Sequence, residues 1–374
     1  MPRLSPAVML GILVLAFSAP PRTLAQDDDP TVRGKKISEW VKILHEDPEL
    51  RKRKAALLVL ELTGTKVKRI VPALLKEMRE NSDDAIRARC AELVVKLKDE
   101  KDQSDRLIDP LLTAMKQDKS AAVRESAATS LGKLGQGGTR VVTELTDALN
   151  DKEPRVRAAV AESIGQYCLS DAQLAKDAIP KLTELLNDAD ANVRMQSAFA
   201  LGRMGTSAAP AVLVLAKLVG DREANVRKEA AKTLAAIGPE SRSAVPELVK
   251  ALEDSQTDVR QYAALALGKI GPDASAAEPS LQKALKDKDQ EVRCQAARAL
   301  GGLGKAGLPA LTELIRLLKD DDVAEVRLAV IQVLGDFGPD AKDAVDALSI
   351  ASRDGRSAIR EAASNALKKV QKAP

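Results

Sequence analysis

The stretch Asn225-Val-Arg-Lys-Glu-Ala-Ala-Lys-Thr-Leu-Ala-Ala-Ile-Gly238 decides the fold. At 100° per residue, Val226 and the residues four, eight and eleven later (Ala230, Leu234, Ile237) fall on one arc of a helix and form its core stripe. Ala231 and Ala235, beside that arc, are small enough for another helix to approach closely. Lys228, Glu229, Lys232 and Ala236 point elsewhere and leave a face free to bind. Gly238 provides the left-handed residue that ends a helix.

The stretch is one copy of a repeat. Its Val-Arg step recurs at Lys52 (divergent), Ile86, Val123, Val156, Val193, Val226, Val259, Val292, Val326 and Ile359, spaced by 33 or 34 residues except for two steps of 37. Arg follows every anchor. Asp stands five positions before each anchor, with Asn81 the one departure. Gly stands twelve positions after seven of them (Gly64, Gly135, Gly205, Gly238, Gly271, Gly304, Gly338), whereas Lys98, Cys168 and Gln371 break the rule. Upstream of most anchors lies a second helical segment, placed to open at Pro110, Pro180, Pro246 or Pro279, since proline suits the first helical position. Each unit therefore reads as helix, polar turn, helix. Helices of about a dozen residues are marginal alone in water and must stack on their neighbours. A fixed period of this length means an array, which escapes the usual size limit of a single core.

Arg in the first turn of a helix faces the positive end of the macrodipole and needs an anion. The recurring Asp supplies one. The sequence therefore predicts a structural ladder, within or between units, made of Asp118 and Arg124, Asp151 and Arg157, Asp188 and Arg194, Asp221 and Arg227, Asp254 and Arg260, Asp287 and Arg293, and Asp321 and Arg327.

Composition agrees with an all-α array. Apolar residues make up 45% of the 374 residues and aromatics only 2%, so the core is built from Ala, Leu, Val and Ile. At the amino end, Arg3, the apolar run Ala7 to Phe17 and "SAPPRTLA" (18–25) form the pattern of a secretory signal peptide, with cleavage expected after Ala25. Residues 26–37 are expected to be a flexible segment and 38–371 the array. The apolar run is too short to span a bilayer, and no second one follows, so the mature chain is expected to be exported, periplasmic or secreted, without a membrane span. Loss of Arg3 and Arg22 lowers the formal net charge from +4 to +2, which does not imply nucleic acid.

The pattern "D…VR..AA..LG..G" resembles HEAT repeats, specifically the short HEAT-like class named after phycobilisome lyases, over residues 38–371. The resemblance implies a right-handed α-α superhelical solenoid of about ten repeats. It also implies that the second helices line a concave surface and that the Asp and Arg form an intramolecular ladder. Such arrays need polar end units, and the irregular first unit with Trp40 and the closing "LKKVQKAP" read as caps.

Chemistry is sparse. "LHE" (Leu44 to Glu46) is similar to the His-Glu pairs with which deoxyhypusine hydroxylase, a related HEAT-like enzyme, holds iron, but His45 is the single histidine of the chain. It reads as a solvated residue near a helix C-terminus, and neither a metal site, a cofactor nor a catalytic residue is expected. Cys90, Cys168 and Cys294 sit in units too far apart for disulfides. Cys90 occupies a core position, whereas Cys294, two residues after its anchor, is expected on the free face.

The candidate binding residues are those of the free face in the middle units: Met195, Phe199, Arg203, Lys228, Lys232, Gln261, Tyr262, Lys269 and Arg298. Aromatics are so scarce that two on one face suggest a contact surface. Together these features describe an exported, non-enzymatic scaffold that binds a protein or extended peptide. The alternative, by analogy with the lyases, is an enzyme or enzyme subunit cradling a chromophore or modified substrate.

Overall fold

In a computed structural model, the structure describes residues 29–64, 70–97, 105–169 and 171–372. The expected signal peptide and Lys98 lie outside the described residues. The described part is helical apart from one short hairpin, and its contacts divide the chain into a first unit, Met1–Ile70, and a second, Val71–Pro374.

In the first unit, β1 (Thr31–Val32) pairs antiparallel with β2 (Lys35–Lys36) ahead of α1 (Ile37–Glu46) and α2 (Leu50–Thr63). Residues 31–36 thus hold a hairpin where a flexible segment was expected. It is tied down locally, because the Trp40 indole donates to the Val32 carbonyl at 2.8 Å and Ser38 bonds Asp29 through both its backbone N–H and its hydroxyl at 2.7 Å.

The second unit is a succession of helix pairs. These are α3 (Ile70–Glu80) with α4 (Asp84–Lys96), α5 (Asp105–Gln117) with α6 (Ala121–Leu134), and α7 (Gly138–Ala148) with α8 (Pro154–Tyr167). There follow α9 (Ile179–Leu185) with α10 (Ala191–Arg203), α11 (Val212–Leu218) with α12 (Ala224–Ile237), and α13 (Val245–Ala251) with α14 (Thr257–Ile270). The last are α15 (Glu278–Ala284) with α16 (Gln290–Gly302), α17 (Leu311–Asp320) with α18 (Ala324–Phe337), and α19 (Val345–Ala351) with α20 (Ser357–Val370). From α9 onward each odd-numbered helix is preceded by seven residues of 3₁₀ helix, such as Gly238–Ala244.

The proline readings divide. Pro180, Pro246 and Pro279 lie in the first turn of α9, α13 and α15, where a missing N–H costs nothing. Pro110 instead lies inside α5, which already begins at Asp105. The glycine rule holds in the backbone: Gly238 (φ 76°) and Gly271 (φ 79°) have the positive φ that side-chain-bearing residues avoid, as do the other five.

Within the core, Val226, Ala230, Leu234 and Ile237 are all buried, as the period requires. Contact between units is made by small residues. A Cβ on Gly268 would lie 2.8 Å from the Ala299 Cα of the next even-numbered helix, and one on Gly302 would lie 2.5 Å from the Gly268 carbonyl oxygen. Seven residues after the anchor, a hydroxyl reaches back across this close contact. Ser130 donates to the Ala91 carbonyl, Ser163 to Ala128 and Thr233 to Ala198, each at 2.8 or 2.9 Å. The even-numbered helices pack directly on one another from unit to unit, whereas the odd-numbered ones meet largely through their 3₁₀ segments. The even-numbered helices form one unbroken layer from α4 to α20, the layer that the resemblance assigns to the concave side.

The ladder runs between units, not within them. Arg227 donates from Nε and Nη2 to the two carboxylate oxygens of Asp254, in the next unit, at 2.7 and 3.0 Å. Its Nη1 donates to the main-chain carbonyl of Asp221, in its own unit, at 2.9 Å. Asp254 Oδ1 also accepts the Gln256 N–H at 2.8 Å and so shapes the turn. The same forked bond joins Arg87 to Asp118, Arg124 to Asp151, Arg157 to Asp188, Arg194 to Asp221, Arg260 to Asp287 and Arg293 to Asp321. Asn81, in the place of an Asp, still accepts from Arg87 through its backbone carbonyl at 2.9 Å and still receives the Asp83 N–H. Arg327 departs from this pattern: its closest approach to Asp354 is from Nη1, at 3.0 Å, and its Nε has no hydrogen-bond partner among the described residues.

Burial pushes the Asp254 carboxyl up, but the Arg227 hydrogen bond, the Gln256 N–H and the Arg227 charge outweigh it, and the group lies below its ordinary range. Asp118, Asp151, Asp221 and Asp287 are lowered by the same balance, each with its own Arg and turn N–H. These rungs therefore stabilise fully above the unfolded value of about 3.9 and lose their contribution as the pH falls through the lower folded values. The melting temperature should hold between pH 7 and 5 and drop steeply below about pH 4. Arg227→Ala should cost on the order of 2–4 kcal/mol, because it leaves Asp254 half-buried and unpaired. Hydrogen exchange should place that loss in α12 to α14, and Arg227→Lys, which lacks the fork, should not restore it.

Candidate binding face of the even-numbered helices

The nine candidate residues are carried by α10, α12, α14 and α16, four consecutive helices of the inward layer. Arg203, Lys232, Lys269 and Arg298 are exposed, and Met195, Phe199, Lys228, Gln261 and Tyr262 are half-buried. One helical period thus brings the whole set to one surface.

Phe199, on the first of these four helices, packs against α8. A Cβ on Gly165 of α8 would lie 2.7 Å from its ring, so glycine there makes the seat into which the ring fits. The outward side of the ring carries cations. The Arg203 guanidinium lies 5.8 Å and the Lys232 ammonium 5.9 Å from the centroid, within cation-π range. The ring both fills the groove between α8 and α10 and gathers charge beside it.

The cations are satisfied unequally. Lys232 pairs with Glu229 at 3.1 Å, Lys228 with Asp258 at 3.3 Å, and Arg298 more loosely with Glu291 at 3.8 Å. Among the described residues Arg203 and Lys269 form no ion pair. Both stand in the last turn of their helix, where the macrodipole favours positive charge. Their placement is therefore inexpensive, and their charge is available to a ligand.

Cys294 corrects the sequence reading. It is 1% exposed instead of standing on the free face. The position two after the anchor lies at the base of the groove. Long side chains such as Lys228 rise out of it, whereas short ones such as Ala88, Ala158 and Cys294 stay covered. Cys90 and Cys168 are also buried, and all three are free thiols. Burial pushes the Cys294 thiol up to about 11, with Glu291 adding to the shift, and burial likewise brings Cys168 to about 11.

The sequence reading missed the hydroxyls seven residues after the anchor, which bind the preceding helix. Their signal was the recurrence of Ser130, Ser163 and Thr233 among alanines. It also missed Tyr167, whose hydroxyl donates to the Leu131 and Gln136 carbonyls of the preceding unit at 3.1 and 2.5 Å. His45 stands exposed in the last turn of α1. Among the described residues no group of three or more His, Cys, Asp or Glu side chains is placed to hold a metal.

Stacked helix pairs joined by an inter-unit ladder, with the even-numbered helices in one unbroken layer, define an α-solenoid repeat protein. A family model of HEAT repeats matches residues 108–176, 144–216, 179–256, 213–279 and 245–335, which together cover more than half of the chain. The chain belongs to the HEAT-repeat family. Among solved structures it is similar to an engineered protein, at 22% identity over 90% of this chain and 99% of that one, with a TM-score of 0.65. It is also similar to importin-β, at 15% identity over 89% of this chain and 51% of that one, with a TM-score of 0.64. Yeast importin-β bound to RanGDP matches at 17% identity over 89% of this chain and 50% of that one, also with a TM-score of 0.64. The chain thus spans about half the length of the importin-β chains, and at these identities the likeness is one of fold. No curated protein matches the chain by sequence.

The burial of the thiols gives a direct check. None of the three should react with an aromatic disulfide reagent at pH 8 in the folded protein, and all three should react once it is denatured. Stoichiometric labelling of Cys294 in the folded state would return it to the open face.

Proposed function

We propose that this protein is an exported, non-enzymatic scaffold that holds a protein or extended peptide partner along the inward face of α10 to α16. The observation that carries this reading is the surface around Phe199. A half-buried ring is seated on Gly165, Met195 and Tyr262 share its face, and Arg203 and Lys269 are cations that form no ion pair among the described residues. Protein contact surfaces are built in this way, from a few aromatic and arginine anchors inside a polar rim. The solenoid layer supplies a continuous surface several helices wide, which suits an extended ligand better than a compact small molecule. The importin-β relatives support the reading by analogy, since solved complexes place RanGDP and Nup1 on chains of this fold. Export rests on the amino-terminal pattern, and no described helix is long and apolar enough to cross a membrane.

The charge balance gives the partner a sign. A segment rich in Asp and Glu meets Arg203 and Lys269 directly and competes for Arg298 with Glu291. The test is affinity capture from the exported fraction with the mature chain, followed by binding measurements on the captured protein. Arg203→Gln with Lys269→Gln, which removes the charges without placing an anion at a helix C-terminus, should lower the melting temperature only slightly and weaken the partner about tenfold or more. Undiminished binding by the folded double variant would remove this face from the proposal. Mass spectrometry of the chain recovered outside the cytoplasm should show an amino terminus at Gln26.

A further inference from the structure

Seven successive rungs of the ladder are closed alike, from Arg87 to Arg293. Each guanidinium forks onto the next Asp and donates to the turn carbonyl of its own unit. The eighth is open. Arg327 approaches Asp354 most closely from Nη1, at 3.0 Å, and among the described residues it has neither the forked bond nor the bond to the Asp321 carbonyl, while its buried Nε has no hydrogen-bond partner. A buried N–H left without an acceptor is costly, and native proteins seldom retain one without a reason.

A cavity of about 880 Å³ lies at this open rung, between α17, α19 and the turn that follows α19. That volume is within the range of roughly 300–1,000 Å³ typical of small-molecule sites. Arg327 and Asp354 line it together with Leu318, Lys319, Ile350 and Arg353. Leu318 is buried, whereas Ile350 is 67% exposed, an unusual placement for a large aliphatic side chain. Lys319 and Arg353 are exposed, and neither forms an ion pair among the described residues. Two carboxylates oppose the three cations. Asp354 is already held by Arg327 and by the Arg356 N–H at 2.9 Å, and Asp346 is the other.

We propose that this cavity binds a carboxylate carried next to an apolar group, with Arg327 as the anchor and Leu318 and Ile350 as the apolar seat. The ladder shows what this arginine is built to hold, since in seven other units its counterpart grips a carboxylate through a fork. A guanidinium pairs with a planar anion through two parallel N–H groups, so a carboxylate entering the cavity takes the fork when the Arg327 side chain turns from its single close approach to Asp354. Lys319 and Arg353 balance the added charge. The apolar neighbour removes Ile350 from water. Because the site is lined by α17, α19 and the turn residues, it is separate from the inward face of α10 to α16 and does not depend on that face binding a partner.

The carboxylate has two natural sources, a peptide C-terminus ending in an aliphatic residue or a small amphiphilic acid. Calorimetric titration of the mature chain with N-acetyl-leucyl-leucine, its C-terminal amide and octanoate separates them. The proposal expects at least one acid to bind and the amide to bind about tenfold or more weakly than the dipeptide acid. Preference for the dipeptide acid over octanoate identifies a peptide terminus, and the reverse identifies an amphiphilic acid. Arg327→Gln and Ile350→Glu should each weaken the preferred acid about tenfold or more, and the exposed Ile350 substitution should leave the melting curve unchanged. Equal affinity for dipeptide acid and amide, affinity unchanged in both variants, or no binding of either acid at millimolar concentration would overturn it.

Discussion

The forked bond from each anchor arginine to the aspartate of the following unit is the interaction on which the rest of the array depends. Taken alone, an arginine in the first turn of a helix is badly placed, because it adds positive charge to a positive helix end. The next unit corrects this. Asp254, for example, brings a carboxylate to Arg227 while its own Oδ1 receives the turn N–H of Gln256. One side chain therefore fixes its local turn and the spacing to the unit before it. Removal of two charges from water is expensive, and such pairs break even only when every lone pair and proton is used. Here Nε, Nη1 and Nη2 of Arg227 all have acceptors, which is why the arginine can be largely covered without loss.

The ladder sets the distance between units at the turn, and the small residues set it along the even-numbered helices. Gly268 against Ala299 leaves no room for a larger side chain, and in other units Ser130, Ser163 and Thr233 add a hydrogen bond across the contact to a carbonyl of the preceding even-numbered helix. Because both devices repeat, any two neighbouring units share nearly the same relation, and curvature follows as a sum of equal steps. The inward face is a consequence of that sum. Its side chains are the residues that neither device uses.

That division explains what the sequence disclosed. Positions that serve the repeat are legible because every unit repeats the same demand: the core stripe, the positive-φ glycines and the pairing of Asp with Arg. Whether Arg227 would choose Asp221 or Asp254 was not legible, since both lie a short distance away in any helix-turn-helix drawing. The choice depends on the stacking distance, which only packing determines. Pro110 misled for a related reason. Proline at that position opens the α-helical part of α13 and α15, where a 3₁₀ segment precedes it, but α5 continues as α-helix through it. Cys294 was misplaced because angular position describes where a side chain starts, and its length decides whether it emerges from the groove.

The same logic identifies where function can reside in a molecule of this kind. A residue demanded by the period carries no information about a partner, because it would be present whatever the array bound. Information lies in departures from the period that the neighbouring structure accommodates. Phe199 is one, since it replaces smaller or more polar residues at its position, and Gly165 answers it by providing the seat. The open rung at Arg327 is another, and there the accommodation is incomplete, with a buried N–H that no described residue satisfies. An accommodated departure marks a surface whose shape is already finished, whereas an unaccommodated one marks a place where the chain itself lacks an acceptor. The first suits a broad partner held by many weak contacts. The second suits a small group that supplies one strong contact, and the two features therefore call for ligands of different size.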